Sequence, residues 1–293
     1  MQEFAQQVVG GLATGSIFAS LALALVLIYR SMTVVNFAQG EMAMLSTFVA
    51  WQFVQMGVPM WLAFSITLVL SFVAAFAIER VVIRPVERAP QLTLVIVSLG
   101  LLIVCNGIAG WIWGYQVRSF PSPFPPASVS VGGVSLSLQD LGVIGVSLIT
   151  LIAVYVLFQK TKLGLALRAA ALYPEQSRLM GIRVSWMLAI GWGLAAVVGA
   201  VSGIMIAPVV FLEPNMMQGV LVYAFAAAVL GGIESPIGAV IGGLLLGVIL
   251  ALVGTYVDFV GTDLRLPAAF AIIVLVLLIR PAGLFGRVHV KRV

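Results

Sequence analysis

Charge, cysteine and histidine are all scarce in this chain, and each shortage removes a class of function. Only 9% of the 293 residues are charged, against 62% apolar, where soluble domains carry roughly 25% charge. With a mean hydropathy of +1.19 the chain reads as a polytopic membrane protein, and no polar stretch is long enough to hide a soluble domain. The single cysteine, Cys105, lies in an apolar run, so an internal disulfide is excluded and a buried thiol is expected. The single histidine, His289, sits in the basic tail without a partner nearby, which removes Ser/His catalysis and His-based metal sites and leaves no catalytic or metal residue to name. No Gly-x4-Gly-Lys-Ser/Thr loop is present, so ATP is not bound in that way. Basic surface interleaved with aromatics is missing too, which argues against nucleic acid.

Charges at mid-membrane are also absent. Glu3, Glu41, Glu79, Glu87, Asp140, Glu175, Glu213, Glu234, Asp258 and Asp263 all fall at or near the ends of apolar segments. A charge at the centre of a span costs about 2.5–3.5 kcal/mol on the insertion scale and marks a coupling site. Their absence points to passive conduction, or to energy supplied from outside the chain.

What is present is a series of apolar segments. A hydrocarbon core of about 30 Å takes about 20 residues of helix, and the sequence predicts spans near 8–28, 42–57, 60–78, 92–113, 138–158, 186–207, 217–232, 237–257 and 265–280. The fold class is thus an all-α polytopic membrane protein with about eight or nine transmembrane or half-spanning helices. The second and eighth segments are short or glycine-interrupted and are also readable as half-helices. The first is read as a retained helix, because no small-residue cleavage site follows it.

Orientation follows from Lys and Arg. With the N-terminus outside and the C-terminus cytoplasmic, every Lys and Arg except Arg118 and Arg265 lies on the inner side. The whole chain, 1–293, is expected to form one transmembrane domain, with 160–183 a cytoplasmic loop and 114–137 an outer, periplasmic loop. The outer loop carries a proline cluster and then VSVGGVSLS, an alternation about Gly132-Gly133 that signals a small hairpin. It either caps the bundle or touches an outer partner.

Three motifs stand out. In KTKLGLALRAAALYPEQSRLMGIR, 160–183, Pro174 suits a first helical position, Glu175 the first turn, Arg178 and Leu179 continue the helix, and Gly181 can supply a left-handed stop. So short a helix is not stable alone, and its place on an inner loop implies that it docks on another protein. In VVNFAQGEMAML, Asn36, Gln39, Gly40 and Glu41 interrupt the apolar sequence. Gln39 and Glu41 stand where a helix starts, and Gly40 permits a sharp bend. Two readings stand: a vestibule lined by polar groups, or a simple turn whose glutamate favours the helix start. In AFAAAVLGGIESPIGAVIGGLLLG, Gly231, Gly232, Glu234 and Ser235 precede Pro236, which opens a new helix with Ser235 as its cap. Gly238/Gly242, Gly243/Gly247, Gly11/Gly15 and Gly199/Gly203 are small-x3-small pairs. They serve close helix packing or a pathway lining.

Together, NFAQGE, GLALRAAALYPEQSRLMGI and GGIESPIGAVIGGLLLG resemble the LivH-type permease subunits of bacterial ABC importers for branched-chain amino acids, in order and along essentially the whole chain. Family members commonly have His where Gln39 stands and Gly or Ser where Glu234 stands. The resemblance implies a bacterial inner-membrane permease, not an enzyme, with no cofactor of its own. ATP is bound by two separate ATPase subunits, and a second homologous permease and a periplasmic solute-binding protein complete the importer. Arg168, Pro174, Glu175, Arg178 and Gly181 would form the ATPase coupling segment, and Asn36, Gln39, Gly40, Glu41, Gly231, Gly232, Glu234 and Ser235 the pathway or vestibule. The same family includes permeases for urea and short amides. A channel or secondary carrier without an ATPase, and more distantly an intramembrane enzyme, are the readings from other classes.

Overall fold

The computed structural model describes residues 2–32, 34–87, 89–131, 134–257, 264–280 and 282–286. Arg88, Gly132, Gly133, Asp258, Asp263, Arg287, His289, Lys291 and Arg292 lie outside the described residues.

A helix covers each expected span: α1 (Gln2–Met32), α2 (Gln39–Gln55), α3 (Met60–Ile78), α4 (Gln91–Trp113), α5 (Leu138–Lys160), α8 (Val184–Val210), α9 (Met216–Gly231), α10 (Pro236–Tyr256) and α11 (Arg265–Ile279). Two short helices, α6 (Lys162–Leu172) and α7 (Pro174–Leu179), fill the basic segment between α5 and α8. By length and composition, Gln2–Arg30, Met60–Val86, Gln91–Trp113, Leu138–Lys160, Val184–Val210 and Pro236–Tyr256 are able to cross a membrane.

The eighth segment, one of the two doubtful ones, is thus an unbroken helix of 21 residues, about 31 Å at 1.5 Å per residue. The second is 17 residues long, about 25 Å, and α9 and α11 are shorter still at 16 and 15 residues. Pro236 marks a helix start and not an interruption, which is why the glycine-rich segment stays continuous. Helix α1 starts earlier than its apolar run, because the polar Gln2–Gln7 stretch is composed of good helix formers. Helix α3 continues through a wide π turn, Glu79–Ile83, and a tight 3-10 turn, Arg84–Val86. Glu79, expected at a span end, is consequently drawn into a continuous apolar helix and buried.

The chain divides into two compact units. One comprises 1–26, 124–144 and 219–293, the other 27–123 and 145–218. In the first, α1 and α10 meet through glycines from both sides. A Cβ on Gly11 would stand 2.8 Å from the Val248 Cα, and one on Gly15 2.9 Å from the Gly243 carbonyl, while Gly243 and Gly247 lie against the backbones of Ala19 and Gly15. Gly238 and Gly242 face the end of α9 in the same way, at Gly231 and Ala227. The expected hairpin is present as strands β1 (Ser128–Val131) and β2 (Val134–Ser137), antiparallel with Ser128 opposite Ser137.

In the second unit α2 packs against α3, α4 and α8. Its residues from Gln39 to Met44 are all buried, as are Ser46, Thr47, Phe48 and Ala50. Hydroxyls on these helices return hydrogen bonds to their own backbone, Thr47 to Ala43 and Ser46 to Met42, both at 2.8 Å. Ser71 of α3 also bonds across to Ser46 of α2 at 2.7 Å. Between α4 and α5, Arg118 donates to the Trp113 carbonyl at 2.6 Å, stacks on Trp51 at 4.7 Å, and pairs its backbone with Leu212. Helix α6 buries Gly164, Leu167 and Ala170, one stripe of helical spacing, and Ala170 rests on Val184 and Leu188 of α8.

Candidate functional site

The NFAQGE segment folds as a turn that delivers α2 into the protein. Asn36 closes that turn itself. Its Oδ1 accepts from the Ala38 N–H at 3.1 Å, and its backbone carbonyl accepts from the Gln39 N–H at 3.3 Å. The bend expected at Gly40 is therefore made earlier, and Gly40 lies helical and buried in the first turn of α2. Gln39 is 0% exposed. Its Nε2 donates to the Ala195 carbonyl of α8 at 2.9 Å, and its Oε1 has no partner among the described residues. Gly199, one turn further along α8, leaves the room for this amide: a Cβ there would stand 2.6 Å from Gln39 Nε2.

Glu41 is 2% exposed and meets polar groups the sequence did not single out. Asn106 Nδ2 of α4 lies 3.4 Å from Glu41 Oε2, and also donates to the Pro214 carbonyl at 2.9 Å and Asn215 Oδ1 at 3.1 Å. Gln218 Nε2 donates to the same Asn215 Oδ1 at 3.0 Å, and its side chain also hydrogen-bonds Glu41. Asn106 is legible as a polar residue inside an apolar span, which is uncommon and marks function. Asn215 and Gln218 carry only the weaker signal of a break between spans.

Gly231, Gly232, Glu234 and Ser235 belong to the other unit. Ser235 caps α10 as expected, accepting from the Gly238 N–H at 3.0 Å, with Pro236 in the first helical position. Gly232 takes a φ of +103°, which a side chain would resist. Gly231 and Gly232 both face backbone, the first at Gly238 and the second at Ala282 and Gly286. Leu284 and Phe285 donate to the Leu230 and Gly231 carbonyls at 2.8 and 3.0 Å, which closes the end of α9. Glu234 is exposed.

The segment between α5 and α8 takes the expected form. Pro174 opens α7, Arg178 Nη1 pairs with Glu175 Oε1 at 2.9 Å within the helix, and Gly181 adopts a φ of +82° just beyond it. Arg168 turns back to Gln159 Oε1 at 2.8 Å and so holds α6 to the end of α5. Leu179 and Met180, in a basic polar stretch, are 89% and 83% exposed.

The sequence model of the branched-chain amino acid transport system permease component matches residues 7–280. The chain belongs to that family. It is 30% identical to the high-affinity branched-chain amino acid transport system permease protein LivH of Escherichia coli strain K12, over 99% of this chain and 98% of the relative. Identity is 29% to the corresponding protein BraD of Pseudomonas aeruginosa, over the same shares of both chains. The probable permease LivH of Methanocaldococcus jannaschii is 27% identical over 94% of this chain and 91% of its own length. Among solved structures, a chain of PsaBC from Streptococcus pneumoniae in complex with Fab has the same fold, with a TM-score of 0.51, 12% identity, and coverage of 95% of this chain and 92% of that one. Family membership and the apolar helices make this chain a multi-pass inner-membrane permease.

Proposed function

We propose that this chain is one permease subunit of an ATP-driven importer of branched-chain amino acids. It works with a second homologous permease, two ATPase subunits and a solute-binding protein outside the membrane. The N-terminus lies outside and the C-terminus in the cytoplasm, so 160–183 faces the ATPases and 114–137 the binding protein. The observation that carries the reading is α7: a six-residue helix, bracketed by Pro174 and Gly181, that ends in exposed Leu179 and Met180. Exposed apolar groups on a basic, polar segment mark a protein contact. An ATPase that closes on ATP moves the docked helix, and the two arrangements of the spans differ in their affinity for the closed ATPase pair. No ATP site is needed in this chain. The relatives named for branched-chain amino acids support the solute class.

The test is a charge exchange, Glu175→Arg with Arg178→Glu. It preserves the ion pair within α7 but reverses the charge order presented to a partner. We expect the variant to insert normally and to lose ATP-driven leucine uptake by at least tenfold. Wild-type uptake in the exchanged variant would end the coupling assignment. Purification of the tagged wild-type chain from its native membrane should bring down two ATPase subunits and a second permease.

A further inference from the structure

Glu41 presents an imbalance. Its carboxylate is buried, no Lys or Arg pairs with it among the described residues, and its neighbours are amides. The single Asn106 amide group has two N–H protons for three acceptors: Glu41 Oε2, the Pro214 carbonyl and Asn215 Oδ1. The weakest of the three contacts, at 3.4 Å, falls to the only charged acceptor. Asn215 Oδ1 takes a further bond from Gln218. Asn106 and Gln218 both hydrogen-bond Glu41, but both are neutral amides, so the buried carboxylate has no compensating positive charge, and such a charge is costly unless a cation reaches it.

The route by which one arrives is also present. Glu41 is buried, Asn106 is half-buried, and Asn215 and Gln218 are exposed. The polar groups thus run without interruption from the surface of this unit to the carboxylate, within an otherwise apolar set of helices.

We propose that Glu41, approached along Asn106, Asn215 and Gln218, is the point at which the permease receives the ammonium group of an α-amino acid. An ammonium supplies three N–H donors and the missing positive charge together. Urea and short amides supply N–H donors but no positive charge, so the site separates the two solute classes of the family by charge. The inference rests on the importer reading above and adds the contact that selects the solute.

The experiment uses the assembled importer in liposomes with internal ATP, and measures uptake of labelled L-leucine beside that of urea. Glu41→Gln keeps the size and hydrogen bonding of the side chain and removes its charge. It should lower leucine uptake at least tenfold. Gln218→Lys, a substitution at an exposed position, places a cation beside the ladder and should lower uptake by a similar factor, whereas Gln218→Met, of similar length and uncharged, should lower it less than Gln218→Lys does. Assembly is checked by co-purification. If Glu41→Gln prevents assembly, the two Gln218 variants decide. Leucine uptake within twofold of wild type in Glu41→Gln, or in Gln218→Lys, overturns the inference and leaves the importer reading intact. Leucine uptake that disappears when sodium is withdrawn would assign the acceptors to a metal cation and also overturn it. A wild-type complex that moves urea but no leucine removes both readings.

Discussion

The side-chain amide of Gln39 spans from α2 to the Ala195 carbonyl of α8, 2.9 Å away, and Gly199 lies beneath it with no side chain of its own. The glycine and the glutamine form one fitted pair. Gly199→Ala should push the amide off its carbonyl and cost about 1–3 kcal/mol, the usual result of leaving a buried polar group unsatisfied. In a Gln39→Ala background the same substitution should cost little, since its obstacle is gone. Denaturation of the four proteins in mild detergent measures the coupling, and simple additivity of the two effects would contradict the fit.

The α1–α10 seam makes a harsher prediction. A Cβ at Gly247 runs into the backbone of Gly15, and one at Gly243 into that of Ala19, where no side chain exists to move aside. Gly247→Val should therefore abolish recovery of monodisperse protein. Gly10→Ala, on the same helix as Gly15 but with nothing within 4 Å, should be recovered at wild-type yield. Size-exclusion profiles of the two variants check both halves.

Leu179 and Met180 should matter to assembly but not to folding. Replacing both with serine removes apolar area that is almost wholly exposed. The variant should insert and purify normally while retaining less than a tenth of the ATPase subunits on co-purification. Undiminished recovery of the ATPases would remove these two side chains from the contact.

Arg118 ties the loop after α4 in three ways: to the Trp113 carbonyl, to the Trp51 ring and, through its backbone, to Leu212. Arg118→Lys keeps the charge but loses the planar group that lies on the indole. We expect a loss of about 0.5–2 kcal/mol from the cation–π contact, read as faster limited proteolysis between Gly114 and Pro126 in the lysine variant.

Much of the architecture was legible because it depends on local rules. Apolar runs located the spans, Ser235-Pro236 located the start of α10, Pro174 and Gly181 located the ends of α7, and the alternation about Gly132-Gly133 located the β1–β2 hairpin. The failures are equally physical. Gly40 suggested a bend, but Asn36 closed the turn with its own side chain and left Gly40 inside the helix. Glu79 looked like the end of a span because it is charged, yet the helix continues past it. The company kept by Glu41 could not be read at all. Asn106 stands 65 positions away, and only tertiary packing brings the two together.

The connection from α7 to α8 has hardly any slack. Ile182 donates to the Ser177 carbonyl, Gly181 to that of Arg178, and Val184 to that of Ile182, each at about 3 Å. Such a link behaves as a strut and not as a tether. Displacement imposed on the short helix arrives at the foot of the long one almost undiminished, in compression as well as in tension. With α7 docked on an ATPase as proposed above, such a link would push the spans apart as well as pull them together, and a few flexible residues inserted after Gly181 should uncouple ATP hydrolysis from uptake.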